Sequence, residues 1–437
     1  MSSQLVVAHT RTWGGPATRT AGAAPLRVAG SAVLPRWPLL AALYGLPAYW
    51  ALGLLPFVYM GLAALMLGLL VVKARWTFLK GTGPYYAFLV WVAVSAVTIS
   101  GAGQMIGYAW RMGDLVAVGV FLLYYANAPR LTPGDLIWAL TYVWVVLIIF
   151  GLAAMAFPHV RLQTPTAAIL PGAIAGNPLV TELVNPRLAE VQEPWGAAQP
   201  YVRPAAPFPY TNSWGTAYVL LTPVAIGAVI LARRWRTRWV LLALLVVSLV
   251  PAVATSNRGM FLGLATAVVY ATVRFMLQGR VLPMVVLGLG SLIAALALIW
   301  SGAVAEILGR QQYSNSTGTR STVYETTFRK TMESPLVGWG SPQEVPGVEV
   351  ALGTQGYVWT LMFSYGFVGL GLFLLFLWGT VLRTRRVVTV PEVLLHGVLV
   401  STCVMVLFYG LGSTQLLIVA LVSAVLLDRR SLTGTRG

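Results

Sequence analysis

A polar stretch from about Gly309 to Gly371 concentrates charge in a chain that is 58% hydrophobic and only 9% charged. Arg320 has no acidic residue at helical spacing, so it is not predicted to form a local ion pair, and Arg310 lies ten residues before it. A guanidinium presents planar paired donors that match phosphate oxygens. We therefore expect these two arginines, together with Arg258, to neutralise a diphosphate. The charged residues of the stretch are Arg310, Arg320, Glu325, Arg329, Lys330, Glu333, Glu344 and Glu349.

A second candidate is the SNRG turn at Ser256–Gly259, which separates two apolar segments. Ser256 is predicted to cap a helix that begins near Arg258, leaving backbone N–H groups and the positive end of the helix dipole available. A helix N-terminus beside an arginine is a good phosphate site. An arginine that reaches toward lipid headgroups is an equally good interpretation of Arg258. We assign the neighbouring Asn257 to substrate binding.

The third candidate is the loop that ends RPAAPFPYTNSWG, where Arg203 and Asn212 accompany several aromatic residues. Aromatic rings and amides can hold sugars by stacking and hydrogen bonding. These aromatic residues could equally form an interfacial aromatic belt, and we expect Tyr210 and Trp214 to belong to it. We assign Arg203, Asn212 and Trp339 to substrate binding.

Within the polar stretch, Thr322 and Glu325 have the spacing of a helix capping box. The pattern predicts a short amphipathic helix on the membrane surface that ends at Pro335. Glu325 and Arg329 are spaced for an ion pair on its solvated face, which weighs against catalysis by either. The apolar face would carry Tyr324, Phe328 and Met332.

The scaffold is predicted to be an all-α polytopic membrane domain, because mean hydropathy is +0.77 and apolar runs of near-spanning length recur. At about 17–25 residues per crossing, the apolar segments amount to about 12 spans. Residues 1–37 are predicted to be a mostly disordered basic tail, 38–430 a single transmembrane domain and 431–437 a second tail. Two long loops cover 158–213 and 302–356.

The distribution of basic residues predicts orientation, because Lys and Arg accumulate on cytoplasmic loops. Most of the 29 Lys and Arg residues fall on one side of the predicted spans, so both termini are expected in the cytoplasm and both long loops outside. The net charge of +17 is then a topology signal and gives no reason to expect nucleic acid as a partner. No ionisable residue falls clearly within a span, which argues against a transport pathway.

Several chemistries find no support in the sequence. It lacks a Walker A motif, an HExxH motif and a GxSxG elbow. The single Cys403 lies in an apolar segment and the three histidines are scattered, so we predict no metal site and no cofactor. The turn at Gly53–Pro56 has no acidic residue, unlike the first outer turn of many membrane glycosyltransferases.

Three segments in a fixed order carry a resemblance to a known family. They are TSNRGMFLGL, then Arg320 followed by PLVGWG, then LGTQGYVWTLMFSYGFVGLGLF. Over about Tyr210–Leu382 the chain resembles the O-antigen ligase/polymerase superfamily of bacterial membrane proteins. The resemblance implies that a glycan is taken from a polyprenyl-diphosphate carrier outside the cytoplasmic membrane and passed to a glycan or lipid acceptor. It also implies that Arg258 and Arg320 act on the diphosphate.

One departure from the family pattern affects the predicted mechanism. Gln355 stands where ligases of the family carry a histidine, and a glutamine cannot act as a general base. Glu325, Glu344 and Glu349 are the candidate bases, and Gln355 is expected to orient the acceptor. Two rivals stay open: a flippase for the same lipid-linked sugar, and a shape-determining peptidoglycan polymerase, which would need an outer aspartate.

Overall fold

The structure is a computed structural model that describes residues 33–428, apart from 74–75, 173–177, 194–199, 301–315 and 346–349. For 178–179, 298 and 316–320 it describes the backbone alone. Both predicted tails therefore lie outside the described residues, except for 33–37.

Helices dominate the described part of the chain. In chain order they are α1 Trp37–Tyr44, α2 Leu46–Leu52, α3 Leu55–Lys73, α4 Gly83–Val94, α5 Ala102–Asn127, α6 Pro133–Ala156, α7 Pro165–Ile169, α8 Pro178–Val184, α9 Thr211–Leu231, α10 Trp235–Val247, α11 Leu249–Ala254, α12 Arg258–Leu277, α13 Val281–Trp300, α14 Ser316–Thr331, α15 Tyr357–Arg383, α16 Val390–Met405 and α17 Ser413–Leu427. A 3₁₀ turn, Ser95–Thr98, extends α4.

Seven helical segments in the described ranges are long and apolar enough to cross a membrane, and further apolar helices accompany them. The seven are α3, α5, α6, α9, the continuous pair α10 and α11, α12 and α15. The chain is thus a helical integral membrane protein, while the count of about 12 spans stays a prediction. The α9 segment is the most buried of the seven, at 78%, and it packs against α6 and α16.

The prediction of a purely helical fold misses one small sheet. Strand β1 (Ala189–Gln192) pairs antiparallel with β2 (Tyr201–Pro204) inside the long polar segment before α9. Two short helices, α7 and α8, precede the hairpin. The segment carries its own local structure because a loop of this length must satisfy its backbone N–H and C=O groups.

The polar helix α14 begins earlier than predicted, at Ser316, so Thr322 and Glu325 lie inside it and form no capping box. The predicted ion pair of Glu325 with Arg329 is absent; Lys330 instead pairs with Glu333 at 2.6 Å. The aromatic face of α14 packs on α15, with Tyr324 stacked on Trp359 at 4.3 Å between ring centroids. Packing on α15 therefore covers part of the face that was predicted to lie on the membrane surface.

Helix α15 is broken at Gly366, where φ is 67° and ψ is −175°. The loop 335–340, written PLVGWG, packs into the break. The Trp339 and Gly340 N–H groups donate to the carbonyls of Phe363 and Ser364, at 2.9 and 2.8 Å. In the other direction, the Phe367 N–H donates to the Pro335 carbonyl at 2.8 Å. Backbone groups freed by the break are thus satisfied by protein, as a low-dielectric environment requires.

Candidate functional site

The turn before α12 is built around Asn257, and the predicted capping role of Ser256 is wrong. Ser256 has a φ of 49°, in the left-handed region. The following Asn257 is the N-cap, since its Oδ1 accepts the Met260 N–H at 3.1 Å. Asparagine is as good a cap as serine, and its longer side chain also reaches neighbouring elements.

Asn257 is only 3% exposed and its side-chain contacts fix the turn. Its Oδ1 accepts a second hydrogen bond of 2.7 Å from the Tyr409 hydroxyl, and its Nδ2 donates to Asn212 Oδ1 at 3.4 Å. The same Tyr409 oxygen accepts the Gly259 N–H at 3.1 Å. The structure thus brings together two of the predicted residues, Asn212 and Asn257, and adds Tyr409.

These contacts revise the expectation that the first N–H groups of α12 are available to a ligand. The Gly259 and Met260 N–H groups already donate to Tyr409 and Asn257. What remains at this end of the helix is its positive dipole and the side chain of Arg258.

Arg258 is the first residue of α12 and its side chain is exposed. It forms no ion pair or hydrogen bond with any residue of the described part of the chain. Its backbone, in contrast, lies between Asn257 and Gly259, which are both hydrogen-bonded to the Tyr409 hydroxyl. An unpaired guanidinium on a fixed turn is available to an anionic ligand.

Arg203 also reaches the turn, but its donors are used by the protein. It lies in β2, is 8% exposed and donates from Nε to the Thr255 carbonyl at 2.8 Å. Its Nη1 lies 3.5 Å from Glu190 Oε2. Glu190 Oε1 in turn accepts the Thr211 N–H at the start of α9. Arg203 therefore ties the hairpin, α9 and the turn together.

The two aromatic residues at the end of this loop have different environments. Trp214 is fully buried, donates from Nε1 to the Leu147 carbonyl and stacks on Tyr218, so its predicted place in an interfacial belt is wrong. Tyr210 is 43% exposed. Burial of part of its ring, and then the charge of Glu182, raise the pKa of the Tyr210 phenol.

Trp339 belongs to the loop 335–340, which packs into the break in α15. Its indole donates to the Lys330 carbonyl at 3.0 Å, and the Lys330 ammonium lies 5.0 Å from the ring centroid. Its own carbonyl accepts from Gln104 Nε2 at 2.6 Å. These contacts connect α14, α15 and the start of α5, so Trp339 holds the scaffold in place.

Gln355 precedes α15 and is partly buried. Two residues later the Tyr357 N–H donates to the Tyr409 carbonyl at 3.0 Å, and Val358 N–H donates to Val406 at 2.9 Å. The residues 406–409 therefore contact the α15 N-terminus by their backbone and the α12 turn by the Tyr409 phenol. Residues 406–409 thus link the segment that contains Gln355 to the turn that contains Asn257.

The remaining predicted residues are not brought together by described contacts. Arg310 and Glu349 lie outside the described residues, and for Arg320 the structure describes only backbone within α14. Glu325 and Glu344 are exposed. The arrangement of the three arginines around a diphosphate stays a prediction.

Sequence reasoning missed a polar pair inside a span. Arg111 and Asp114 both lie in α5, a single helix of 26 residues that is long and apolar enough to cross a membrane. The expectation that no ionisable residue falls within a span is wrong. The signal was present, since residues 102–127 contain no proline and place both side chains at i and i+3. Tyr409 and Glu190 were also missed, and nothing in their local sequence distinguishes them.

Comparisons with known proteins give no family for the chain. No family model matches the chain, and no curated protein matches it significantly. Among the described residues, no three His, Cys, Asp or Glu side chains are grouped to hold a metal ion.

Proposed function

We propose that the chain transfers a glycan from a polyprenyl-diphosphate carrier to a glycan or lipid acceptor, and so builds a surface polysaccharide. The reaction takes place at the outer face of a bacterial cytoplasmic membrane, with both termini inside. The observation that carries the proposal is Arg258, an exposed and unpaired guanidinium on a turn fixed by Asn257 and Tyr409. The motif resemblance assigns the same arginine to the diphosphate.

In the proposed reaction an acceptor hydroxyl attacks the anomeric carbon of the donor glycan. The bond from that carbon to the diphosphate oxygen breaks, and the lipid diphosphate leaves as an anion. Arg258, Arg320 and Arg310 stabilise the charge that develops on it, which is the electrostatic role that commonly dominates such catalysis. The acceptor proton passes to a carboxylate, with Glu325 and Glu344 as the exposed candidates, while Gln355 orients the acceptor.

The test compares Arg258→Gln with Arg329→Gln in purified protein supplied with a polyprenyl-diphosphate-linked glycan. Both side chains are exposed and neither has a partner among the described residues. Loss of one preorganised donor should lower the rate of glycan transfer about 10²–10³-fold for Arg258→Gln, with little change for Arg329→Gln. Equal rates in the two variants would remove the basis of the assignment.

A deletion strain provides the corresponding cellular test. Loss of a polymerase or ligase should replace long surface polymer by a single unit that stays on its lipid carrier. Transfer by the purified enzyme should also continue in EDTA, since arginines take the place of a divalent cation. A requirement for added Mg²⁺ or Mn²⁺ would indicate a metal-dependent class instead.

The rival candidate, a flippase for the same lipid-linked sugar, is favoured by one observation. Arg111 and Asp114 place charge inside α5, and ionisable residues within spans often mark transport pathways. A flippase would move the lipid-linked sugar across a sealed vesicle without changing its covalent structure. Glycan transfer in detergent, where no compartments exist, separates the two functions.

A further inference from the structure

The side chains around Arg111 form a second polar site, which the proposed function leaves unused. Arg111 is partly buried, and its one side-chain hydrogen bond runs from Nη1 to the Gly107 carbonyl of its own helix, at 3.2 Å. No carboxylate in the described part of the chain lies within ion-pair distance of it. A guanidinium offers five N–H donors, so most of its capacity is unused.

Two tyrosines of α15 lie near this guanidinium. Arg111 lies close enough to Tyr365, Tyr357 and Asp114 to interact with them electrostatically. Tyr365 is 1% exposed, and its hydroxyl has no hydrogen-bond partner among the described residues. A buried hydroxyl without a partner costs free energy, so its retention next to an unpaired cation calls for an explanation.

Asp114 does not supply that partner. Its Oδ2 accepts a 2.6 Å hydrogen bond from the Ser413 hydroxyl at the start of α17. One carboxylate oxygen is thus bonded to α17, while the other, Oδ1, is buried without a hydrogen-bond partner among the described residues, one helical turn from Arg111 on α5. Asp114 reduces the net charge of the site without occupying the donors of the guanidinium.

The site also lies at the interruption of a spanning helix. Tyr365 immediately precedes Gly366, where α15 breaks and the loop 335–340 is inserted. Broken helices within membranes are tolerated where protein covers them, and they commonly form substrate or ion sites.

We propose that Arg111 and the Tyr365 hydroxyl bind a phosphate or diphosphate group inside the helix bundle. A tetrahedral phosphate accepts several hydrogen bonds at once, which suits a guanidinium and a neighbouring phenol as donors. The chemistry is shared by a lipid headgroup and by free pyrophosphate. The proposal concerns a site other than Arg258 and holds whether the chain is a transferase or a flippase.

The test is direct binding to the full chain in nanodiscs of neutral lipid, with farnesyl diphosphate and inorganic pyrophosphate as separate probes. Arg111→Gln should weaken binding roughly tenfold or more, since hydrogen bonds to charged groups are the strong ones. Binding of both probes indicates that the phosphate group suffices, and binding of farnesyl diphosphate alone indicates a lipid headgroup. Binding of neither probe to the unaltered chain would overturn the proposal.

Arg258→Gln serves as the matched arginine variant in the same assay. A loss of binding in Arg258→Gln, with Arg111→Gln unchanged, would assign the probe to the outer turn and overturn the inner site. If binding weakens in both variants, the two arginines contribute to separate sites when Arg258→Gln still binds the probe saturably and Arg111→Gln does not. If Arg111→Gln binds the probe saturably and Arg258→Gln does not, the inner site is overturned.

Tyr365→Phe tests the site without removing a charge. Because the hydroxyl has no described partner, its removal should leave the Tm of the ligand-free protein unchanged or raised, while binding weakens. Tyr218→Phe is the control, because that buried hydroxyl bonds Ser248 at 2.7 Å. Its removal should lower the Tm and leave binding unchanged. Unaltered probe binding in Tyr365→Phe would show that the hydroxyl faces no ligand.

Discussion

The hydroxyl of Tyr409 donates a 2.7 Å hydrogen bond to Asn257 Oδ1, joining two residues 152 positions apart in the chain. The same oxygen accepts the Gly259 N–H at 3.1 Å. One phenol thus fixes the turn that presents Arg258. Tyr409 therefore positions Arg258 without binding the ligand itself, and substitution of Tyr409 tests this role.

Tyr409→Phe keeps the ring and removes only this hydroxyl. The variant loses two hydrogen bonds and leaves the Asn257 and Gly259 groups less well satisfied, so we expect a destabilisation of about 1–3 kcal/mol. Thermal unfolding in detergent measures it. Tyr44→Phe is the control, since that side chain is 43% exposed. An equal Tm for Tyr409→Phe and the unaltered protein would mean that the phenol does not hold the turn.

Gly259→Ala should disturb the same turn by steric conflict. A Cβ at this position would lie 1.8 Å from Cε2 of Tyr409, so one of the two elements must move. We expect a lower Tm and weaker glycan transfer, and a double variant Gly259→Ala, Tyr409→Ala whose losses are smaller than the sum of the two single-variant losses. Gly288→Ala is the control, because nothing lies within 4 Å of a Cβ there. Additive losses in the double variant would contradict the described contact.

Gly366→Ala should be among the most damaging single changes in α15. The position has a φ of +67°, and a Cβ would lie 2.0 Å from the Leu336 carbonyl oxygen. Gly371, on the same helix, has open space around it. We expect Gly366→Ala to accumulate poorly and to aggregate on size-exclusion chromatography, while Gly371→Ala behaves as the unaltered chain. Normal yield for Gly366→Ala would argue against the break.

Membrane orientation is tested by labelling introduced cysteines in intact cells, in a Cys403→Ser background. Ile169 and Glu344 are exposed positions in the two long loops that are predicted to lie outside. Ile169→Cys and Glu344→Cys should both react with an impermeant thiol reagent. Lys80→Cys, in a segment predicted to be cytoplasmic, should react only after permeabilisation. The reverse pattern would invert the topology.

Hydropathy was sufficient to predict a helical membrane protein, and residue types were sufficient to select the turn before α12. The capping residue was wrong because Ser256 and Asn257 are both good caps, and only three-dimensional contacts distinguish them. The hydrogen bond from Arg203 to the Thr255 carbonyl joins residues 52 positions apart, and no local sequence pattern predicts it. Composition alone therefore could not show that Arg203 is used by the protein while Arg258 is not.

The break in α15 was invisible for a different reason. The sequence around Gly366 is as apolar as a continuous span, and glycine is common in transmembrane helices. The interruption exists because the loop 335–340 competes for the carbonyls of Phe363 and Ser364. Arg111 and Asp114 were missed because charged residues are normally a sign of a loop in an apolar chain, whereas here they lie within the 26-residue helix α5.

The loop 335–340 has one further consequence, which concerns biosynthesis. It precedes α15 in the chain, so a ribosome makes the cap about twenty residues before the helix that it covers. When the first half of α15 inserts, the loop whose N–H groups bond its carbonyls has already been synthesised. Moving these six residues to a point after α15 would preserve composition and hydropathy. The carbonyls at the break in α15 would then lack hydrogen-bond partners when the helix inserts.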